Sequence, residues 1–243
     1  MMSRRKPIYF VLSALILTLM FSGCSITIQK GRRSDIEKIK SLNYETDALN
    51  TRLDQLQEEK EKEIGVLEKT KKLLAKRLKK EINDKDVRLE MATKGLAIIF
   101  LTEVLFDSGK ADLKKEAYPV LDKVAKVLKE NVGGRDIGIE GHTDNEPIKY
   151  SGWKSNWELS TSRATSVLHY LVDEKSIAPE RVSATGYGEY KSVVSNNTPE
   201  GRRQNRRVEV VILPKNIEKI QADMDKISER KRKIERKLRR YKK

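Results

Sequence analysis

Carboxylates gather around one short run of this chain, Gly141-His142-Thr143-Asp144-Asn145. Glu140, Asp144, Glu146 and Glu158 lie close together in sequence. Paired carboxylates are what glycoside hydrolysis requires, with two acids at a defined separation across the scissile bond. Nothing in the sequence places one of these four in a hydrophobic pocket, so a hydrolase is the weaker reading of the cluster. Asp144 ends a strand-loop, and Arg163 lies two turns into the helix that follows. Taken alone, such an aspartate is a turn residue and such an arginine a surface ion-pair partner. His142, His169 and the single cysteine, Cys24, do not make a metal-ligand set. Both histidines read as structural, and no metal or cofactor is expected. Arg202 to Arg207 is strongly basic, but no interleaved aromatic platform accompanies it. Nucleic acid is therefore not an expected partner.

The elements that must position Asp144 and Arg163 follow from hydrophobic periodicity. Leu96 to Phe106 is apolar and β-branched, and it stops at Asp107-Ser108-Gly109, which predicts a strand. Val120, Val124, Val127 and Leu128 recur at helical spacing, predicting a helix over about 114–130. Pro119 is compatible with that helix only near its start. Ile137 and Ile139 mark a short strand over 136–141. Ser155 and Glu158 form a capping box, opening a helix whose apolar side carries Leu159, Val167, Leu168 and Leu171. Val182 to Gly186 and Val208 to Ile212 read as two more strands. The order β-α-β-α-β-β with a mixed sheet is an α/β two-layer sandwich.

Three runs now stand in order: Gly141 to Asn145, then Asn156-Trp157-Glu158-Leu159-Ser160-Thr161-Ser162-Arg163-Ala164, then Gly201-Arg202-Arg203-Gln204-Asn205-Arg206-Arg207-Val208-Glu209. Together they resemble the OmpA-like C-terminal domain, the OmpA/MotB-type module by which envelope proteins hold peptidoglycan. The resemblance covers roughly Leu96 to Leu213. It implies a non-catalytic binding function whose ligand is the diaminopimelate of the stem peptide, an ammonium and a carboxylate on one carbon. Asp144 and Arg163 occupy the family's positions for the ammonium and the carboxylate. A guanidinium suits the second task because its planar fork bonds two oxygens at once. Thr143, Asn145, Asn156 and Leu159 line the same site by analogy, with Arg206 at its edge. The loop from Glu146 to Lys154 is longer than in the shortest members. The run Ser155 to Ser160 is similar to the flagellar-stator branch.

Charge divides the chain into three zones. Residues 1–94 hold 21 basic and 14 acidic side chains, residues 95–214 hold 17 and 17, and residues 215–243 hold 13 and 5. The excess of positive charge thus lies in the flanks and not in the predicted domain. Arg4, Arg5 and Lys6 precede an apolar run, Ile8 to Phe21, and Ser22-Gly23 precede Cys24. This resembles a bacterial lipoprotein signal over residues 1–23, with acylation (palmitate among the chains) at Cys24 and a linker over 24–33. Each buried methylene of such a chain contributes about 0.8 kcal/mol to membrane attachment. Ser25 stands where an aspartate often marks inner-membrane retention, so the expected location is the outer membrane, facing the periplasm. Ile39, Leu42, Thr46, Leu49, Leu53 and Leu56 step as a heptad seam, which resumes at Ile64, Leu67, Leu74 and Leu78 after a stutter. A coiled-coil stalk able to form a homodimer is expected over 34–93, set against a single charged helix or a partly disordered linker. The domain is expected over 95–213. Residues 214–243 form a basic amphipathic helix whose stripe runs from Ile217 through Ile220, Met224, Ile227 and Ile234 to Leu238. That stripe can pack on the stalk of the same chain or of a neighbour.

Two functions follow. The first is a peptidoglycan-binding lipoprotein that ties membrane to wall. The second is a stator-like, wall-anchored motor component, against which stands the lack of any acid between Ile8 and Phe21 to relay protons.

Overall fold

In the computed structural model, the backbone is described for residues 8–149 and 151–241, and side chains from residue 32 onward. The lipidation expectation at Cys24 and the signal-peptide expectation over 1–23 concern side chains outside that set. Among the described residues no helix is long and apolar enough to cross a membrane. The chain divides into two compact units, residues 1–58 with 218–243, and residues 59–217.

The first unit is a pairing of two helices. Helix α1 runs over Ile8–Arg77, and its upstream part belongs here. The terminal helix, Ile217–Tyr241, contributes the other member. Among the described residues of this unit, Leu42, Leu56, Ile220 and Ile234 are buried apolar side chains. Every remaining seam position from Ile39 to Leu53 is at least half-covered, as are Met224, Ile227 and Leu238 on the terminal helix. Arg230 pairs with Glu45 at 2.6 Å. In the antiparallel register this pair sets, Leu42 falls level with Ile234 and Leu56 with Ile220. The seam therefore finds its partner within the same chain.

The second unit carries the sheet, and here the stalk expectation needs correction. Helix α1 ends at Arg77, not near residue 93. A short α2 (Lys79–Asn83) follows, and Lys85 adopts a left-handed φ of 61° before the chain turns into β1 (Val87–Ala92). Val87, Leu89 and Met91 alternate with Arg88 and Glu90, a period of two that no longer suits a helix. β1 returns through Thr93-Lys94 into β2 (Gly95–Leu101) as an antiparallel hairpin. Leu67, Leu74 and Leu78 are buried in the domain core instead of in a coiled coil.

The remaining elements follow the expected order, except that the strand expected over 96–106 ends at Leu101 and Thr102–Leu105 turns helical. After β2 come α3 (Thr102–Leu105), α4 (Tyr118–Asn131), β3 (Ile137–His142) and α5 (Asn156–His169). Then come β4 (Val182–Gly186), the unpredicted α6 (Pro199–Asn205) and β5 (Arg207–Ile212); the terminal helix is α7. Pro119 sits in the first turn of α4, where its missing N–H costs nothing. The sheet order is β1-β2-β5-β3-β4, antiparallel throughout except for β3 and β4. One face buries Ile98, Phe100, Ile139 and Val210 with Val124 and Leu128 of α4, Val167 of α5 and Leu171 in the turn just after it. The other face carries the small cluster Ala97, Ile99 and Val211 beside charged residues. Helix α5 lies unusually close to the sheet. A Cβ on Gly141 would sit 2.0 Å from the Ser160 carbonyl oxygen, and one on Gly186 would sit 2.2 Å from Thr161 Oγ1. These two glycines set the height of α5 above β3, and so the distance between Asp144 and Arg163.

Candidate functional site

Asp144 follows directly from β3, and Arg163 faces it from α5. The loop between them is closed by Ser155, whose Oγ accepts from the Trp157 amide at 3.1 Å and donates to Glu158 at 2.5 Å. The capping box predicted from sequence is thus formed. Asn156 ties the loop together: its amide donates to the Glu146 carbonyl at 3.1 Å and to Glu189 at 3.0 Å. Thr143 is pinned on both sides. Its amide donates to the Gly188 carbonyl, and its hydroxyl donates to the Asp144 carbonyl, each at 2.9 Å. These contacts fix the backbone that presents Asp144.

Asp144 and Arg163 open onto one cavity of about 780 Å³. Thr143, Asn156, Leu159 and Arg206 line it as well. Asn145 does not line it and is exposed, because the chain turns outward after Asp144. The Asp144 carboxylate accepts from Arg206 at 2.6 Å and from the Glu146 amide at 3.2 Å. Arg206 therefore touches the central acid directly and does not stand only at the rim. The remaining wall was not foreseen from sequence. It comes from Phe106 and the turn Asp107 to Lys110, with Ile148 and Lys149 from the long loop. In the sequence that turn marks only the end of a strand. The loop is held over it by Trp153, whose indole donates to the Gly109 carbonyl at 2.9 Å.

Arg163 is the unusual member. It is only 4% exposed, and its guanidinium lies 5.6 Å from the centre of the Phe106 ring. Its Nε donates to the Lys110 carbonyl at 2.9 Å. Among the described residues no carboxylate lies within ion-pairing distance of it, and its two terminal nitrogens have no hydrogen-bond partner. Burial, helped by the repulsion of Arg206 and opposed by Asp144, pulls its pKa down to about 10. It remains a cation at neutral pH. A buried cation without a counter-ion is costly unless an anion comes to it. The carboxylates of the cavity wall other than Asp144 are each answered by a cation. Asp107 meets Lys110 at 3.3 Å, Glu146 meets Arg202 at 3.3 Å, and Glu103 meets Arg203 at 2.5 Å.

A second charged cluster lies on the other face of the sheet. Glu140, His142 and Glu209 bring three ligand-capable atoms within 4.8 Å of one another. Lys94 bonds to Glu140 and, at 3.2 Å, to Glu209, while Arg207 bonds to Glu209 at 2.7 Å. The carboxylates are thus already answered by fixed cations. Burial pushes the His142 imidazole below its ordinary 6.5, against the pull of Glu140, so the ring is neutral. The cluster reads as an internal ion network, in keeping with a structural His142.

Comparison with known proteins falls on the same part of the chain. Residues 105–206 match the OmpA family. Motility protein B of Bacillus subtilis is 43% identical over 149 residues, covering 61% of this chain and 57% of that relative. The match thus spans little more than half of the relative's length. The cell wall anchor of the T6SS from Pseudomonas aeruginosa superposes with a TM-score of 0.53 at 32% identity, over 58% of this chain and 97% of that one. A MotB-like protein from Desulfovibrio vulgaris gives 0.59 at 27% identity, over 64% and 96%. The cavity, the strand order and these likenesses converge: residues 105–206 of this chain are a domain of the OmpA family.

Proposed function

We propose that this protein is a non-catalytic anchor that grips peptidoglycan through the diaminopimelate of the stem peptide. The observation that carries the reading is Arg163, a buried and unpaired cation in the wall of a cavity it shares with Asp144. The ligand carboxylate bonds the two free nitrogens of Arg163. The ligand ammonium meets Asp144, which shares its second oxygen with Arg206. Leu159 and Phe106 supply apolar wall, and Thr143 and Asn156 hold the loop in place. Charge-assisted hydrogen bonds contribute about 1.5–3 kcal/mol each, so a single site binds modestly. Many copies on one continuous polymer supply avidity. At the other end, acylated Cys24 holds the chain in the outer membrane. Cosedimentation with purified sacculi tests the grip: Asp144→Ala and Arg163→Ala both lose binding. Undiminished binding by both variants removes the proposed site.

A second reading, a stator-like wall-anchored component, is favoured by the 43% identity to motility protein B. It uses the same wall-binding site and differs in the N-terminal segment. A globomycin-sensitive change in mature mass decides for the lipoprotein. An unacylated N-terminus that keeps residues 1–23 decides for the stator-like form.

A further inference from the structure

We propose that the C-terminal half of α7 is a docking surface for an anionic lipid bilayer, held against the membrane-proximal end of α1 by the intrachain seam. Helix α7 is polarised in charge. From Ile217 to Glu229 it holds four acids and two bases, whereas from Arg230 to Tyr241 it holds eight bases and one acid, Glu235. Complementing the helix dipole accounts for part of this, but that effect fades within the last turn. The basic stretch covers three turns. Only some of it is answered inside the protein: Arg230 pairs with Glu45, and Lys233 with Glu229. Among the described residues no carboxylate lies on Lys237, Arg239 or Arg240, and all three are exposed.

The pairing decides where this charge sits. Arg230 stands opposite Glu45, so Arg239 and Arg240 come level with about residue 35 of α1. Arg32 and Arg33 lie at the same end. At 1.5 Å per residue, residues 32–36 are roughly 12–18 Å along the helix from Cys24. A headgroup layer of about 7 Å and a Debye length of about 8 Å span that gap before the reach of an arginine side chain is added. The occupant is therefore a lipid surface and not the wall polymer: the charge lies at the end of α1 that carries the apolar N-terminal run. Each basic residue held at an anionic surface strengthens attachment roughly fivefold. The inference rests on the membrane-anchor reading only for which end faces the bilayer, and it is independent of the wall site.

The test uses the full chain reconstituted in phosphatidylcholine vesicles, with or without one third phosphatidylglycerol, and reads amide exchange across α7. The expected result is exchange over residues 230–241 at least fivefold slower on the anionic vesicles, reversed by high salt. A triple variant, Lys237→Glu, Arg239→Glu and Arg240→Glu, loses that protection. It keeps the protection around Ile220 to Ile227, because the changed positions lie off the seam. Should the variant loosen the whole helix, the lipid and salt arms on the unaltered chain still decide. Equal exchange in both lipids overturns the proposal. So does protection that appears only on adding a soluble anionic wall polymer. Sacculus cosedimentation of the triple variant stays unchanged, which separates this failure from failure of the wall site.

Discussion

Arg163 and Arg207 are buried to nearly the same depth, at 4% and 2% exposure, yet their surroundings differ in kind. Arg207 spends all three nitrogens inside the protein, on Glu209, the Asn205 carbonyl and the Lys191 carbonyl. Arg163 spends one, on the Lys110 carbonyl. The first cation belongs to a network whose charges cancel in place, and the second leaves a planar fork facing an open cavity. A buried ion that is fully bonded is part of the fold. One that is half-bonded beside a cavity has donors left for an anion.

The contrast breaks most visibly in stability. Glu209→Ala strands the buried Arg207 and part of Lys94, so unfolding by denaturant should show a loss of about 3–5 kcal/mol. Arg163→Ala removes a cation that had no ion pair, and the same unfolding experiment should show a loss under about 1 kcal/mol or a gain. Its sacculus affinity, by contrast, should fall at least tenfold. Arg163→Lys keeps the charge without the fork and should bind between the two. A large stability loss in Arg163→Ala would show that the two arginines are alike after all.

Acid sharpens the same comparison. Burial holds His142 below its ordinary 6.5, so the folded state takes up this proton less readily than the unfolded chain. Stability from this group is complete above that value and is lost as pH falls through it. Burial alone would raise the Glu140 and Glu209 carboxyls. The His142 ring and Lys94 around Glu140, and Arg207 with Lys94 around Glu209, reverse that and hold both below 4.5. A second, steeper loss therefore begins as pH drops below about 4.5 toward their depressed folded values. Thermal unfolding across this range, compared with a His142→Gln variant, should show the first step weakened and the second retained. The smallest effect belongs to Asn145. It lies outside the cavity, and Asn145→Ala should leave sacculus affinity within about twofold, a change under 0.5 kcal/mol.

Much of this was legible in the sequence, for identifiable reasons. The capping box at Ser155 and Glu158 is a local device and forms as read. The paired strands around Ile139 and Val210 announce themselves by alternation. The strand Val87–Ala92 is hard to read because its alternation is short and continues a long helical seam without proline and with Gly65 as its one glycine. Leu67, Leu74 and Leu78 kept heptad spacing while serving the domain core, since an apolar stripe does not name its partner. The same ambiguity leaves the α7 stripe open to the stalk of this chain or of a neighbour, and the pairing of Arg230 with Glu45 places it on the same chain. At the site, six of the seven residues expected from the family resemblance share one cavity. The turn from Asp107 to Lys110 escaped notice because it joins the site through space, fifty residues from Arg163, and contributes a backbone carbonyl and no distinctive side chain.

The central claim is that a ligand carboxylate completes the half-bonded guanidinium of Arg163. Calorimetric titration with two soluble stem peptides tests it most directly, one bearing diaminopimelate and one bearing lysine, which keeps the ammonium and lacks that carboxylate. The unaltered protein should prefer the diaminopimelate peptide by tenfold or more, and Arg163→Ala should bind both equally weakly. Equal affinity of the unaltered protein for the two peptides would contradict the account.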